Sequence, residues 1–281
     1  MKVVNFVYIY KLLKKFHELR YIVSITRVLS RITGYICKVY VPVCLRAPMF
    51  GSFSRFYGVN MQEAEVERYD HYACFTDFFT RKLKKGARVI SNPNDIYSMC
   101  SPCDGRVMSV GDVSRNDSTI DCVKGRSYRL DEFMCGVIGD ENDQTSTHEK
   151  LRNKKVNSGV AGLLEKVHAR GNKLCYMVIY LSPGDYHRFH SPAIHTADYR
   201  RHVVGYLAPV KPDYIKKHPD TFAKNERVNI YGEWREKNFF FLSYVGALNV
   251  GSICLDFDKD VVTNLAMPKQ PHCWDKAYTK D

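Results

Sequence analysis

The strongest constraint on the fold is a change in the spacing of apolar residues along the chain. Between residues 6 and 40 apolar side chains recur every three or four positions and alternate with basic ones, which predicts two amphipathic helices. Beyond residue 100 the apolar segments are short, rich in β-branched and aromatic residues, and separated by Gly, Pro, Asn or Asp. These predicted strands cover residues 106–110, 120–123, 176–181, 228–231 and 239–245. The pattern predicts an α+β fold, with N-terminal helices followed by a mainly antiparallel β domain.

The boundary between the two parts is predicted from prolines. Pro42 and Pro48 interrupt the helical spacing, so we expect a helical region over residues 1–60 and a β domain over residues 61–281. Within the second part, residues 61–85 predict one or two short helices that stop at Gly86. The polar residues 138–158 predict an exposed loop.

The excess positive charge lies at the N-terminus. The whole chain carries a formal charge of +12, and residues 1–60 hold ten basic residues against one acidic residue. The remaining chain is nearly neutral, which argues against a nucleic-acid partner. Without ~18 consecutive uncharged apolar residues, the basic segment is expected to lie on an anionic membrane surface or to act as a targeting segment. A basic helical hairpin packed on the body of the protein is the structural alternative.

Several motifs have both a structural and a chemical interpretation. The ten cysteines lack a secretory context and predict reduced, buried thiols, and the pair Cys100 and Cys103 lacks the second pair of a zinc site. Three histidines, His187, His190 and His195, leave a zinc hydrolase as a remote alternative, although no metal is predicted. Residues 101–105 predict a Pro-Gly turn in which Asp104 caps backbone N–H groups. Glu226 and Arg227 predict a structural ion pair or a turn. The glycines of the apolar strand at 245–253 suggest a bulge or a close backbone approach.

Taken together and in this order, the motifs resemble the phosphatidylserine decarboxylase family, most closely its eukaryotic mitochondrial branch. The matching stretches are Phe-Tyr-Gly-Val-Asn-Met at 56–61, Phe-Phe-Thr-Arg-Lys-Leu at 78–83, Ser-Pro-x-Asp-Gly-Arg at 101–106, Tyr-Leu-Ser-Pro-Gly-Asp-Tyr-His at 180–187, Asn-Glu-Arg-Val at 225–228, and residues 245–253. The resemblance runs from about residue 24 to the C-terminus with spacing typical of the family.

The resemblance implies a reaction and a set of residues. Family members cleave themselves before a serine in Gly-Ser-Thr or Gly-Ser-Ser, and that serine becomes a pyruvoyl group whose carbonyl accepts electrons when CO2 leaves phosphatidylserine. By position, Asp104 matches the orienting aspartate, His190 the base for self-cleavage, and His187 the histidine that assists decarboxylation. The implied partners are phosphatidylserine and an anionic membrane surface, and the implied location is the mitochondrial inner membrane, with an endomembrane as the alternative.

One part of the family pattern is missing from this sequence. The 281 residues contain neither tripeptide, because Ser252 follows a glycine but precedes Ile253. We therefore expect a chain truncated before the self-cleavage serine, with its C-terminal strands missing and poor solubility. As written it should be catalytically silent unless a C-terminal small subunit or a homologue complements it. The alternative is a non-catalytic, membrane-associated, lipid-binding paralogue or regulator.

Overall fold

The computed structural model describes residues 25–113, 119–123, 126–135, 159–235, 237–265 and 273–278. The first predicted helix and the predicted loop at 138–158 lie outside these residues. The described helices are α1 (25–37), α2 (Val43–Tyr57), α3 (Phe75–Phe79), α4 (Leu130–Cys135), α5 (Gly159–Ala169), α6 (Pro212–Lys217) and α7 (Thr221–Lys224), with a 3-10 turn at Tyr69–His71. Each of the helices in this part of the chain falls short of the length and apolarity that a membrane span needs.

The strands form three antiparallel sheets. They are β1 (Arg106–Asp112), β2 (Thr119–Val123), β3 (Arg126–Arg129), β4 (Cys175–Tyr180), β5 (His195–Val203), β6 (Arg227–Trp234), β7 (Asn238–Val245) and β8 (Cys273–Ala277). β1 pairs with β4, β2 pairs with β3, and the largest sheet has the order β7-β6-β5-β8. The α+β class, the antiparallel pairing and all five predicted strands are confirmed.

Strand β5 was not predicted, because its sequence is too polar to look like a buried strand. Arg200, Arg201 and His202 are nevertheless at most 5% exposed. Arg200 pairs with Asp258 at 2.9 Å, and Arg201 binds both carboxylate oxygens of Asp275 at 2.9 Å. Partners distant in sequence satisfy these charges, so a local pattern could not reveal that the strand is buried.

The expected break at Pro48 is wrong. Pro42 does precede α2, but Pro48 lies inside the helix. An interior proline loses one backbone hydrogen bond and costs about 3 kcal/mol. Phe50 is fully buried in this helix and stacks on Phe78 with ring centroids 4.9 Å apart. Burial of large aromatic rings is worth a comparable amount, so packing keeps the helix intact across the proline. The short helices predicted in residues 61–85 are confirmed as the 3-10 turn and α3, but their predicted end at Gly86 is wrong, because α3 already ends at Phe79. The division into domains at residue 60 stays a prediction.

Helix α1 places polar residues toward the protein and apolar residues outward, and α2 also exposes apolar residues although it buries Phe50. In α1, Arg27 and Ser30 are 3% and 1% exposed, and Arg27 donates to the Glu226 carboxylate at 3.0 Å. The side chains at the surface are large and apolar: Ile25, Val28, Leu29, Ile32, Tyr35, Ile36, Val39, Tyr40, Val43, Leu45, Met49 and Phe56. We call this set the outer apolar face. This arrangement is the opposite of that in a typical surface helix, which packs its apolar side against the core.

The close approach predicted at the glycines of residues 245–253 is confirmed. A Cβ on Gly251 would lie 2.7 Å from Leu207 Cδ1, and one on Gly246 would lie 3.0 Å from Leu207 Cδ2. The segment is not a continuous strand, because β7 ends at Val245 and a tight turn pairs Ala247 with Val250. Glycine is therefore required here for side-chain packing against the fully buried leucine.

Candidate active site

A short loop at residues 181–190 follows β4 and carries two of the predicted site histidines. The loop closes on itself, because the Ser182 N–H donates to Asp185 Oδ2 at 2.5 Å and the Asp185 N–H donates to the Ser182 carbonyl at 2.9 Å. Gly184 is required at the bend, since a Cβ there would lie 2.1 Å from the Tyr57 carbonyl oxygen. The loop is thus held against the C-terminal end of α2, which fixes the positions of the two imidazoles.

The His187 imidazole is oriented by one hydrogen bond and one ring contact. Its Nδ1 lies 2.9 Å from the Asp185 carbonyl oxygen, and its ring centroid lies 4.0 Å from that of Phe79. Because a carbonyl only accepts, Nδ1 carries the proton and a neutral ring leaves Nε2 as an acceptor. Burial lowers the pKa of His187 below its ordinary value, so the neutral form predominates at neutral pH.

The His190 imidazole is oriented by Tyr186. The Tyr186 hydroxyl lies 2.9 Å from His190 Nε2, and the two rings stack with centroids 5.6 Å apart and planes 12° apart. The backbone N–H of His190 donates to the Pro102 carbonyl at 2.7 Å, and this bond joins the loop to the turn at residues 101–105. The two motifs that the sequence separates by some eighty residues are therefore adjacent in the fold.

Asp104 is held by an arginine. Arg88 donates to both Asp104 carboxylate oxygens, at 2.8 and 2.6 Å, and also to Glu63 at 2.9 Å. The hydrogen bond from Arg88 lowers the pKa of Asp104, and His190 adds a smaller effect in the same direction. In the described part of the chain, neither oxygen of Asp104 bonds to an imidazole. The carboxylate is thus ionised and close enough to His190 to interact through charge.

Both predicted histidines line one large groove. The groove has a volume of about 2510 Å³, and both His187 and His190 contribute to its wall. The loop that carries them is irregular, because residues 186–190 form neither a helix nor a strand. Asp104 is not part of the groove wall, and Arg88, which binds it, is also outside the wall. The structure therefore brings two of the three predicted residues to one surface and places the third behind them.

Three residues around the site were missed as functional candidates. Tyr186 and Phe79 contact the two imidazoles, and Arg88 holds Asp104. Tyr186 and Phe79 lie within the matched motifs, so the sequence could have indicated both as candidate site residues. Arg88 had no signal, because its contact with Asp104 spans sixteen residues and depends on the fold.

Glu226 and Arg227 are adjacent in sequence but bind different partners. Glu226 is 1% exposed and accepts from Arg27 at 3.0 Å and from His202 Nε2 at 2.8 Å. Arg227 is fully buried and donates to backbone carbonyls, including that of Phe133 at 2.8 Å. Glu226 is therefore in a structural ion pair, as predicted, but its partner comes from α1 and not from its neighbour.

The described residues form neither a zinc site at the pair Cys100 and Cys103 nor one at the three histidines. His195 Nδ1 lies 3.0 Å from Ser191 Oγ and 3.1 Å from the Ala193 carbonyl. Within the described ranges, no three His, Cys, Asp or Glu side chains come close enough to hold a metal ion.

The turn at residues 101–105 and the thiols differ in part from expectation. Asp104 binds Arg88 instead of capping backbone N–H groups. Burial raises the pKa of the Cys103 thiol to about 11, so the thiol stays protonated. The expectation that the cysteines are buried is wrong for the four exposed ones, Cys44, Cys175, Cys254 and Cys273.

Comparison with known proteins gives a consistent family. The profile of the family "Phosphatidylserine decarboxylase" matches residues 75–271. The chain is 39% identical over 242 residues to the mitochondrial phosphatidylserine decarboxylase proenzyme of Rattus norvegicus, covering 85% of this chain and 55% of the relative. It is 34% identical over 256 residues to the mitochondrial proenzyme 1 of Arabidopsis thaliana, covering 85% of this chain and 54% of the relative.

The relative from Saccharomyces cerevisiae, mitochondrial phosphatidylserine decarboxylase proenzyme 1, is 30% identical over 305 residues, covering 89% of this chain and 60% of the relative. The chain thus spans a little over half the length of these curated relatives. The family match covers more than half of the chain, and it includes the loop with both imidazoles and the turn with the carboxylate. The chain belongs to the phosphatidylserine decarboxylase family.

Proposed function

We propose that this chain provides the acid–base residues and the lipid-facing scaffold for decarboxylation of phosphatidylserine to phosphatidylethanolamine and CO2. The observation that carries the proposal is that His187 and His190, both matched by position to family residues with acid–base roles, line the same groove. Family membership supplies the substrate class, and the relatives named above carry phosphatidylserine decarboxylase in their names.

A pyruvoyl group fits the residues that line this groove. Such a group is a small neutral ketone, and it needs an imidazole with a free acceptor nitrogen and an apolar surrounding. His187 offers Nε2, and the aromatic side chains of Phe79 and Tyr57 also line the groove. When bound, the group supplies a carbonyl that accepts electrons as CO2 leaves. These residues contain no Gly-Ser-Thr or Gly-Ser-Ser, so in this proposal a serine outside them provides the group.

His190 is proposed as the base that takes the proton of that serine. Its Nε2 is held by the Tyr186 hydroxyl at 2.9 Å, which fixes the ring plane before the reaction. Asp104 is proposed to stabilise the protonated imidazole by charge, since both of its oxygens are engaged by Arg88.

His187 is proposed to move a proton during decarboxylation. In the neutral ring, Nε2 can accept a proton from the substrate and return it to the carbon that loses CO2. The Asp185 carbonyl keeps Nδ1 protonated and the ring oriented throughout. The lowered pKa makes the protonated ring a stronger acid, which favours the return of the proton.

The outer apolar face is proposed to dock on an anionic membrane. Its side chains are exposed, and the polar side of α1 is occupied by bonds to the protein body. Residues 1–60 also carry a net charge of +9, and each basic residue near an anionic surface contributes about 1 kcal/mol. Apolar burial and charge together favour a helix that lies in the interface, where the lipid substrate is located. As in the structural alternative of a packed hairpin, α1 is attached to the body of the protein, but through polar bonds and not through an apolar stripe.

We place the chain in mitochondria, at the inner membrane. The support is that the relatives are named as mitochondrial proteins and that the N-terminal segment is basic, poor in acids and amphipathic. The test is imaging and subfractionation of a C-terminally tagged chain. Recovery of the tagged chain with endomembranes would overturn this placement.

The function is tested by complementation. The 281-residue chain is co-expressed with the part of the rat relative that follows the matched region, and phosphatidylethanolamine is measured on phosphatidylserine liposomes. We expect product from the pair and none from the chain alone. His190→Ala and Asp104→Asn should block formation of the cleaved small subunit, whereas His187→Ala should permit cleavage and abolish product. The matched control is His71→Ala, an exposed histidine outside the groove.

Complementation also separates the proposal from its alternative. A non-catalytic, membrane-associated paralogue would bind anionic liposomes yet give no product with any complementing segment. The exposed apolar face supports that alternative as well as the enzyme. Liposome binding without product, obtained with a correctly cleaved partner segment, would therefore favour the non-catalytic function.

A further inference from the structure

A second cavity lies beside the turn that joins β6 and β7. It has a volume of about 450 Å³ and is lined by Tyr97, Arg170, Asn172, Arg235 and Asn238. All of these except Tyr97 also line the large groove, so the cavity opens into it. Among the described residues, no acidic side chain contributes to the lining. The lining therefore carries two permanent positive charges and amide donors, which is a composition suited to an anion.

The turn itself is held in an unusual backbone conformation. Arg235 has φ 43° and Lys237 has φ 62°, in the left-handed region that non-glycine residues rarely adopt. The Asn238 N–H donates to the Arg235 carbonyl at 2.7 Å and closes the turn. Left-handed residues of this kind are typical of the tight turn between two paired antiparallel strands. The turn places the Arg235 side chain against the cavity.

Two aromatic rings clamp the Arg235 guanidinium. Its Cζ lies 3.8 Å from the ring centroid of Trp234 and 4.8 Å from that of Tyr97. Because the rings cover the faces of the guanidinium, its N–H groups are left pointing along its edge, in the plane where oxygen acceptors bind. The Arg235 Nε and the Trp234 Nε1 are both buried, and neither finds a hydrogen-bond acceptor in the described part of the chain. Buried donors without acceptors are rare, and a bound anion would supply acceptors.

The second arginine is fixed from the opposite side of the cavity. Arg170 follows α5 and donates through Nη1 to the Lys237 carbonyl at 3.2 Å. Asn172 Nδ2 donates to Asn238 Oδ1 at 3.0 Å, which orients both amides. Neither Arg170 nor Arg235 forms an ion pair with a carboxylate of the described residues. Their charges are thus available to a ligand.

Among the described residues, the carboxylate of Asp95 lies within electrostatic reach of Arg235. Arg235 contributes to the lowered pKa of Asp95, although the main cause is the hydrogen bond from the Tyr97 N–H at 2.9 Å. The other Asp95 oxygen accepts from Ser98 Oγ at 2.9 Å. Asp95 is therefore engaged by its own turn, and the two arginines are the charged residues of the described lining.

We propose that this cavity is a binding site for a phosphate group, with Arg170 and Arg235 as its two guanidinium ligands. A guanidinium fork matches the spacing of phosphate oxygens, and two forks with amide donors between them can satisfy a tetrahedral anion from several sides. The phosphate can belong to free inorganic phosphate or to a lipid headgroup. This inference stands apart from the proposed decarboxylase function, because it uses none of the residues assigned to that chemistry.

Trp234 provides the readout, because it contacts Arg235 directly. The chain has two tryptophans, so the full-length Trp274→Phe variant reports on Trp234 alone. Titration with inorganic phosphate at constant ionic strength should change its emission saturably. Arg170→Gln, which leaves the Arg235–Trp234 contact in place, should weaken phosphate binding at least tenfold. The matched control is Arg55→Gln, an exposed arginine distant in sequence from this cavity, which should bind phosphate as before.

Calorimetric titration repeats the measurement without relying on fluorescence and includes Arg235→Gln. A second arm replaces free phosphate by phosphatidylcholine vesicles that contain phosphatidic acid. A response to the vesicles that depends on Arg170 identifies a lipid phosphate, and a response only to soluble phosphate identifies the free anion; either supports the site. Equal phosphate affinity in Arg170→Gln and Arg55→Gln, or no saturable response by either method, would overturn it.

Discussion

At the residue scale, the hydroxyl of Tyr186 has a role that can be separated from the role of its ring. Tyr186→Phe keeps the ring stacked on His190 but removes the bond to Nε2. Tyr186 is 6% exposed, so the imidazole nitrogen loses its partner in a place that water enters poorly. We expect the free energy of unfolding to fall by about 1–3 kcal/mol in urea titrations. Tyr35→Phe, at a 69% exposed position, is the control and should change it by less than about 0.5 kcal/mol.

The half-buried imidazole of His187 also predicts a pH dependence. The pKa of His187 is lowered in the folded protein, so below about pH 6.5 the unfolded chain binds a proton that the folded chain does not. Stability from this residue is therefore fully present above its unfolded pKa and is lost as the pH falls, by at most about 1.4 kcal/mol per pH unit. His187→Asn should remove this part of the acid sensitivity. Urea titrations between pH 7.5 and 5.0 would refute the prediction if both proteins lost stability equally.

At the element scale, the loop that carries the histidines depends on its contact with the end of α2. Gly184→Ala would place a Cβ 2.1 Å from the Tyr57 carbonyl, so the loop or the helix must move. We expect a loss of more than about 2 kcal/mol in the free energy of unfolding, as for other overpacked sites. Gly34→Ala is a matched control in α1, because nothing lies within 4 Å of its new Cβ. It should be neutral or stabilising by up to about 1 kcal/mol. Equal effects of the two substitutions would contradict this account.

The same scale shows how much of the fold the sequence could predict. The strands β1, β2, β4, β6 and β7 are apolar and bounded by turn residues, so their local pattern was sufficient. Strand β5 was missed because its buried arginines depend on Asp258 and Asp275, which are far away in sequence. Helix α2 crosses Pro48 because the aromatic cluster outweighs a local rule. Long-range partners, which a pattern does not contain, account for each of these failures.

The candidate site was predictable to the same extent. His187 and His190 were predicted as site residues from a motif that resembles the family, and the structure places both on one groove. The sequence could not predict that Arg88 holds Asp104 or that this carboxylate does not bond to an imidazole. Both features depend on how two distant segments meet. Side-chain geometry of this kind is decided by packing and charge, so residue order alone could not give it.

At the scale of the whole molecule, a buried network connects the N-terminal helix to the main sheet. Arg27 of α1 binds Glu226 at 3.0 Å, and Glu226 also accepts from His202 of β5 and from the Asn264 N–H at 3.1 Å. Arg27, Glu226 and His202 are at most 3% exposed. A second contact joins the same helix to the glycine turn, where the Asn249 N–H donates to Ser30 Oγ at 3.0 Å. The helix that carries part of the outer apolar face is therefore fixed to the core by polar bonds.

This network predicts a large and partly reversible effect of one substitution. Arg27→Gln leaves the Glu226 carboxylate buried with its main positive partner removed, and breaking such a pair typically costs about 3–5 kcal/mol. Adding Glu226→Gln removes the stranded charge while an amide oxygen still accepts from His202, so the double variant should recover part of the loss. Arg31→Gln, one turn along the same helix, is the control and should be nearly neutral. If the double variant recovers nothing, the changes in unfolding free energy of the two single variants simply add. Arg27 and Glu226 would then act independently, and the ion pair would not hold the helix to the sheet.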